Sequence, residues 1–151
     1  MIYSQKINWI MQTVYDLHSG QKDKSGVPYI YHIIHVAEQM NTEDETMVAL
    51  LHDTLEDTKL NPNTIKVIYG EHILEAVELL THKKNEPYFD YIMKIKDNPL
   101  ARKVKIADLK HNMDLTRIAN PSDKDFKRVE KYKKALEILE EVDKVDEIDI
   151  E

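Results

Sequence analysis

The residues best suited to chemistry lie in the run ALLHDTLED, from Ala49 to Asp57. A helix turns by about 100° per residue, so His52 and Asp53 are neighbours around its axis and could both reach a metal ion beside it. Glu56 and Asp57 lie one turn further along the same strip. Imidazole and carboxylate groups bind divalent metals, and a spare carboxylate can orient water or accept its proton. The run is therefore a candidate site for metal-dependent hydrolysis.

A His-Asp pair is weak evidence by itself, because a chain with 7 histidines acquires such pairs by chance. A solvated acidic helix end would explain the same run. The position of His52 argues against that alternative. It follows the apolar run Val48–Leu51, where a helix enters a core and unpaired charges are rare.

Two further segments add to this pattern. HSGQKDKSGVPYIYH ends in His32, and VKIADLKHN places Asp108 and Asn112 four residues apart on one helix face. With PYIYH, ALLHDTLED and VKIADLKHN in this order, the chain resembles the HD superfamily of metal-dependent phosphohydrolases. More narrowly, it resembles the hydrolase domain of the RelA/SpoT family, which removes pyrophosphate from the 3′ position of (p)ppGpp. The resemblance runs from about His18 to Arg117.

The resemblance implies a compact all-α, multi-helix HD-domain bundle and a set of site residues. It implies the metal ligands His32, His52, Asp53 and Asp108, with manganese as the usual ion. It implies that Glu56 and Asp57 are catalytic and act on the attacking water. It implies that Lys24, Ser25 and Asn112 bind substrate, with Gly26 in the same Lys-Ser-Gly element. Independently, two imidazoles and two carboxylates suit Mn²⁺, Fe²⁺, Co²⁺ or Zn²⁺ better than Ca²⁺.

The chain departs from the family pattern at two positions. Where the family has Gln-x-Arg-Lys-Ser-Gly, this chain has Asp23 at the arginine position. Where the family has Met-Arg-Thr, this chain has Asp114 at the arginine position. An acid cannot stack or donate as a guanidinium does, so guanine recognition is left open.

Three other histidines have simpler explanations. We expect His18 to end the first helix, where the dipole favours a cation. We expect His35 to be a surface or satisfied core residue. His111 has an equal claim to line the pocket or to lie outside it.

The elements that must position these residues are helices. The chain of 151 residues has only 3 Gly and 5 Pro, and no alternating strand pattern is present. Apolar periodicity predicts a first helix to about His18 and a second opening at Pro28. A capping box at Thr42 and Glu45 starts a third that continues through the His-Asp pair.

Later signals predict further helices along the rest of the chain. Helices are predicted after Asn61-Pro62, over Ile73–Leu80 and Tyr88–Ile95, from Pro99, and after a Ser122–Asp125 cap. We expect a single domain over residues 1–151, a stand-alone hydrolase with no room for a synthetase domain.

The net charge of −7 is unlike that of a sequence-independent nucleic-acid binder. A small anionic nucleotide fits if a metal and a few cations reverse the field locally. The chain has no cysteine and no segment suited to a signal peptide or a membrane span, so we expect a cytoplasmic protein, with a homo-oligomer possible. The alternatives left open are hydrolysis of another nucleotide phosphate ester, a non-catalytic nucleotide sensor and a metal-free interaction protein.

Overall fold

The computed structural model describes the backbone of residues 1–150 and the side chains of residues 1–144. Over the described residues the chain is all-α, as predicted. Its helices are α1 (Gln5–Leu17), α2 (Ile30–Glu38), α3 (Glu43–Leu51), α4 (Thr54–Asp57), α5 (Pro62–Tyr69), α6 (Glu71–Leu79), α7 (Tyr88–Lys96), α8 (Pro99–Asn112) and α9 (Asp123–Ile150), with a 3-10 turn at Leu115–Arg117. The single domain over residues 1–151 stays a prediction, and Glu151 lies outside the described residues.

Helix α3 lies at the centre of the bundle because its second half is buried on every side. All residues from Thr46 to Leu51 are buried, and the helix packs against α1, α2, α6 and α8. Its start is fixed as the sequence predicts, since the Thr42 hydroxyl accepts a hydrogen bond from the Glu45 backbone N–H at 3.1 Å. The Glu45 carboxylate accepts from the Asn41 N–H rather than from that of Thr42. This central helix delivers the His-Asp pair to the interior.

The predicted continuous helix through the His-Asp pair is wrong. Helix α3 ends at Leu51 and α4 begins at Thr54, so His52 and Asp53 form a joint between them. Asp53 has φ −102° and ψ 1°, outside the helical region. The Thr54 hydroxyl donates to the Leu51 carbonyl at 2.7 Å, a local bond of the kind that competes with helix continuation. The two acids that follow therefore lie on a separate turn rather than on one strip.

The second helix begins later than predicted. Helix α2 starts at Ile30, whereas Pro28 forms an isolated antiparallel bridge with Lys22. The Tyr29 N–H donates to the Gln21 carbonyl at 2.9 Å, which closes the segment into a loop before the helix starts.

Helix α9 packs along α7 and α8, with Ala135 and Leu139 buried. The predicted cap is confirmed, because the Asp125 carboxylate accepts from the Ser122 N–H at 2.8 Å. Among the described residues, no helix combines the length and the apolar character that crossing a membrane requires.

The packing of α9 can be tested with Leu139→Ala, which removes a fully buried side chain. We expect the free energy of unfolding to fall by about 2–5 kcal/mol, measured by urea denaturation. Val67→Ala is the control, because Val67 is 75% exposed and its loss should cost about 0.5 kcal/mol or less. Equal effects of the two changes would contradict this packing.

Candidate metal centre

Three separate parts of the chain bring the four predicted ligands together. His32 comes from α2, His52 and Asp53 from the joint, and Asp108 from α8. Ligand atoms of His32, His52 and Asp53 all lie within 4.8 Å of one another. Asp108 Oδ1 lies 2.9 Å from His32 Nε2 and 3.6 Å from His52 Nε2. The convergence predicted from distant segments is present in the fold.

His52 is oriented so that one nitrogen faces the cluster. Its Nδ1 donates to the Ala49 carbonyl, so in the neutral ring Nε2 carries the lone pair. Nε2 is buried and makes no hydrogen bond to any described residue, although Asp53 Oδ2 lies 3.1 Å away. A buried nitrogen without a hydrogen-bond partner, beside two carboxylates, is the arrangement that a metal ligand requires. The residues present therefore fit a divalent transition metal.

His32 is held by a second histidine on its other side. His32 Nδ1 lies 2.7 Å from His111 Nδ1, and the two rings stack at 5.0 Å between centroids. Burial, together with the charge of Arg117, lowers the pKa of His111 to about 4, so His111 is neutral near pH 7. Its Nδ1 can then accept a hydrogen bond from the His32 Nδ1–H, so that the lone pair of the neutral His32 ring lies on Nε2, the nitrogen that faces the cluster. His35, which we expected to be a surface or satisfied core residue, is exposed and stacks on His111 at 3.8 Å.

Asp108 is the most heavily bonded member of the cluster. Its Oδ2 accepts from Lys105 Nζ at 2.9 Å, and its Oδ1 accepts from Asn112 Nδ2 at 3.1 Å. Burial opposes ionisation, but Lys105 and the two imidazoles outweigh it and hold the pKa of Asp108 well below its usual range. From the sequence, Lys105 belongs to a basic cluster before Asp108 that we expected to be solvated surface or a rim for phosphates, and its ion pair with Asp108 was not predicted. Its place three residues before Asp108 on α8 was the available signal.

Burial and charge set the protonation of the joint. Burial disfavours the imidazolium form of His52, but Asp53 and Asp108 outweigh it and hold its pKa well above the usual value. Burial likewise opposes ionisation of Asp53, and the charge of His52 overcomes it and lowers the pKa of Asp53. The Tyr29 hydroxyl donates to Asp53 Oδ2, which fixes the orientation of that carboxylate.

Glu56 and Asp57 point to different surroundings. Glu56 accepts a hydrogen bond from the His82 backbone N–H and lines a cavity of about 240 Å³ with His52 and Lys105. Burial raises the pKa of Glu56 and of Asp57, so both stand closer to neutral pH than free carboxylic acids. The backbone carbonyl of Asp57 accepts from Gln21 Nε2 at 2.8 Å.

The three predicted substrate residues share one cavity of about 410 Å³ beside His32. Each makes a contact within the protein. Lys24 Nζ lies 3.3 Å from Asp125 Oδ1, the Ser25 hydroxyl donates to the Arg117 carbonyl at 2.6 Å, and Asn112 bonds Asp108. A larger cavity of about 750 Å³ lies between α2, α3, α8 and α9 and contains none of the four ligands, so size does not identify the site.

His18 ends α1 as predicted, but its ring is not a surface cap. The side chain is buried, its Nδ1 lies 2.8 Å from Gln21 Oε1, and its ring lies 5.6 Å from that of Tyr29. Position alone gave no sign that this imidazole borders the centre.

Comparison with known proteins tests the family resemblance. No family model matches the chain. It is 31% identical over 123 residues to the guanosine-3′,5′-bis(diphosphate) 3′-pyrophosphohydrolase of Aquifex aeolicus, covering 74% of this chain and 18% of that protein. It is 34% identical over 113 residues to the bifunctional (p)ppGpp synthase/hydrolase SpoT of Escherichia coli K12, covering 65% of this chain and 16% of that protein. The resemblance to the RelA/SpoT hydrolases is confirmed.

The chain thus spans less than a fifth of the length of these curated relatives. A solved structure described as a metazoan orthologue of SpoT that hydrolyses ppGpp superposes with a TM-score of 0.73 at 23% identity. That match covers 92% of this chain and 85% of the other, and it confirms the all-α bundle fold.

The metal site can be tested by thermal unfolding with and without Mn²⁺. An ion that binds only the folded state should raise the melting temperature by about 5–10 °C at about a hundredfold excess over Kd. His52→Ala should abolish the shift because it removes the inward-facing nitrogen. His72→Ala should keep it, because His72 is an exposed partner of Asp44. A shift of the same size in both variants would rule out this site.

The stability of the metal-free protein and its affinity for the ion should depend on pH with opposite signs. In the metal-free protein, protonated His52 stabilises the fold fully below about pH 6.5, and this contribution is lost as pH rises through its raised folded-state pKa. Because the ion must displace that proton, its affinity should increase as pH rises. Titration calorimetry in buffers of different ionisation enthalpy measures the protons released. Zero release near pH 7 would contradict the assignment.

Proposed function

We propose that this chain is a metal-dependent phosphohydrolase that removes the 3′-pyrophosphate of (p)ppGpp, giving GDP or GTP and pyrophosphate. The observation that carries the proposal is the convergence of His32, His52, Asp53 and Asp108 on one buried centre between two cavities. A relative named for this activity matches 74% of the chain.

In this proposal the four side chains hold one ion, Mn²⁺ in keeping with the family resemblance. When bound, such an ion would polarise a phosphoryl group and lower the pKa of bound water toward about 7. The protein supplies the surrounding order. His111 and the Ala49 carbonyl fix the two imidazoles, and Lys105 and Asn112 fix the Asp108 carboxylate.

Glu56 and Asp57 handle the proton of the attacking water. Their raised pKa values make each a better proton acceptor than an exposed carboxylate. The His82 N–H holds Glu56 at the edge of the 240 Å³ cavity, which Lys105 and Lys131 also line. These two cations suit the departing pyrophosphate.

The nucleoside portion occupies the 410 Å³ cavity, where Lys24, Ser25 and Asn112 contact it. Tyr132 lines both this cavity and the smaller one, so the two compartments adjoin beside the metal ligands. A substrate can then place its nucleoside on one side of the centre and its 3′-phosphates on the other. We place the enzyme in the cytoplasm, acting on a small nucleotide rather than on nucleic acid.

A second candidate is hydrolysis of another nucleotide phosphate ester. Asp23 favours it, because the carboxylate stands in the substrate loop at the family's arginine position. The products distinguish the two: pyrophosphate from ppGpp, or inorganic phosphate from other nucleotides.

The test incubates the protein with Mn²⁺ and a panel of ppGpp, pppGpp and ordinary nucleotides. Asp53→Ala should remove turnover, and Glu56→Gln or Asp57→Asn should lower kcat by about 10²–10⁴ while metal binding persists. Glu75→Gln, on the outer part of α6, is the matched control. If no compound is turned over by metal-loaded protein, the sensor or the interaction protein replaces the enzyme.

A further inference from the structure

Asp23 holds together the loop between α1 and α2. Its Oδ1 accepts hydrogen bonds from the backbone N–H groups of Ser25 and Val27, at 2.9 and 3.0 Å. Gly26, at φ +81°, lets the chain turn back between them. One oxygen of this carboxylate is therefore committed to the loop.

The other oxygen of Asp23 faces Arg117. Asp23 Oδ2 lies 3.6 Å from Arg117 Nη2, while Arg117 Nη1 donates to the His111 carbonyl at 3.0 Å. The Ser25 hydroxyl also donates to the Arg117 carbonyl. The loop thus contacts Arg117 twice, through Asp23 at the guanidinium and through Ser25 at the backbone carbonyl. These contacts hold the guanidinium in place before a ligand binds.

This guanidinium lines the 410 Å³ cavity assigned to the nucleoside portion. The cations around that cavity are Lys22, Lys24, Arg117 and Arg128. A guanidinium has five N–H donors, and the described side-chain contacts of Arg117 involve only two of its nitrogens. A planar, permanently charged fork of this kind suits phosphate oxygens better than a neutral base.

The two departures from the family pattern meet at this residue. Asp23 forms the ion pair, and the Asp114 carbonyl accepts from the Arg117 N–H at 3.3 Å. Arg117 therefore contacts both of these positions, although it stands at neither of the family's arginine positions.

We propose that Arg117 binds the 5′-phosphates of the nucleotide and that Asp23 positions it. The inference rests on the proposed function for the identity of the nucleotide.

The test is calorimetric binding of GDP, which carries the 5′-diphosphate without the 3′-pyrophosphate, to the whole Mn²⁺-loaded chain. Arg117→Ala should weaken GDP binding about tenfold or more, and Arg117→Lys should give an intermediate loss, because it keeps the charge without the fork. Lys103→Ala is the control, since it removes a cation paired with Glu45 outside this cavity. Equal affinities of Arg117→Ala and Lys103→Ala, or wild-type protein that does not bind GDP, would overturn the inference.

Asp23→Asn separates the two roles of the carboxylate. The amide oxygen can still accept from Ser25 and Val27, so the melting temperature should hold, but the charge facing Arg117 is lost. GDP binding should weaken about three- to tenfold, with no further loss when the change is added to Arg117→Ala. Additive losses, or tighter binding by Asp23→Asn, would contradict positioning.

Kinetics with ppGpp separate this inference from the proposed function. For Arg117→Ala the loss should appear mainly in KM rather than kcat, as expected for binding remote from the reacting phosphate. If GDP binding depends on Arg117 but the wild type turns over no ppGpp, the proposed function fails and the phosphate site stands.

Discussion

A carboxylate shut away from water stays ionised only where cations and N–H donors surround it, and Asp108 meets that condition through residues of three structural elements. His32 approaches from α2, His52 from the joint after α3, and Lys105 and Asn112 from its own helix. Removing any one of these partners leaves charge uncompensated in a buried place. The packing of α2, α3 and α8 is thereby tied to the electrostatics of the centre, and the same contacts that stabilise the bundle align the ligands.

The joint at His52 and Asp53 connects two helices of different kinds, the buried helix α3 and the short helix α4. Helix α3 is buried along its second half and cannot move without disturbing its neighbours. Helix α4 is a single turn of 4 residues, held by the Thr54 hydroxyl at its start and by Gln21 at its end. The predicted ligands are thus positioned by the core, whereas Glu56 and Asp57 are positioned by hydrogen bonds from His82 and Gln21 in neighbouring loops.

Much of the fold could be predicted from the sequence because helix signals are local. Periodicity and caps placed most of the helices, and the Ser122–Asp125 and Thr42–Glu45 caps form where their residue types require. The break after Leu51 was not predicted. It depends on the hydrogen bond from the Thr54 hydroxyl to the Leu51 carbonyl, which the pattern of apolar residues does not indicate.

The candidate site was likewise predictable only in part. Three motifs in a fixed order along the chain predicted its metal ligands, and the fold brings those residues together. Two of their supports, His111 and the buried ring of His18, act through contacts between segments, and spacing along the chain does not encode those contacts. Lys105 differs, because it lies three residues before Asp108 on the same helix. The partnership of Asp23 with Arg117 spans 94 positions and could be seen only in three dimensions.

The imidazolium at His52 also bears on how the protein is made. Between Asp53 and Asp108, a proton on that ring supplies part of the positive charge that a divalent ion would later bring. The bundle can therefore fold before any ion binds, because the proton on His52 balances part of the charge of the two carboxylates. If the proposed metal binds, its arrival is then an exchange of the His52 proton for the ion at an assembled centre.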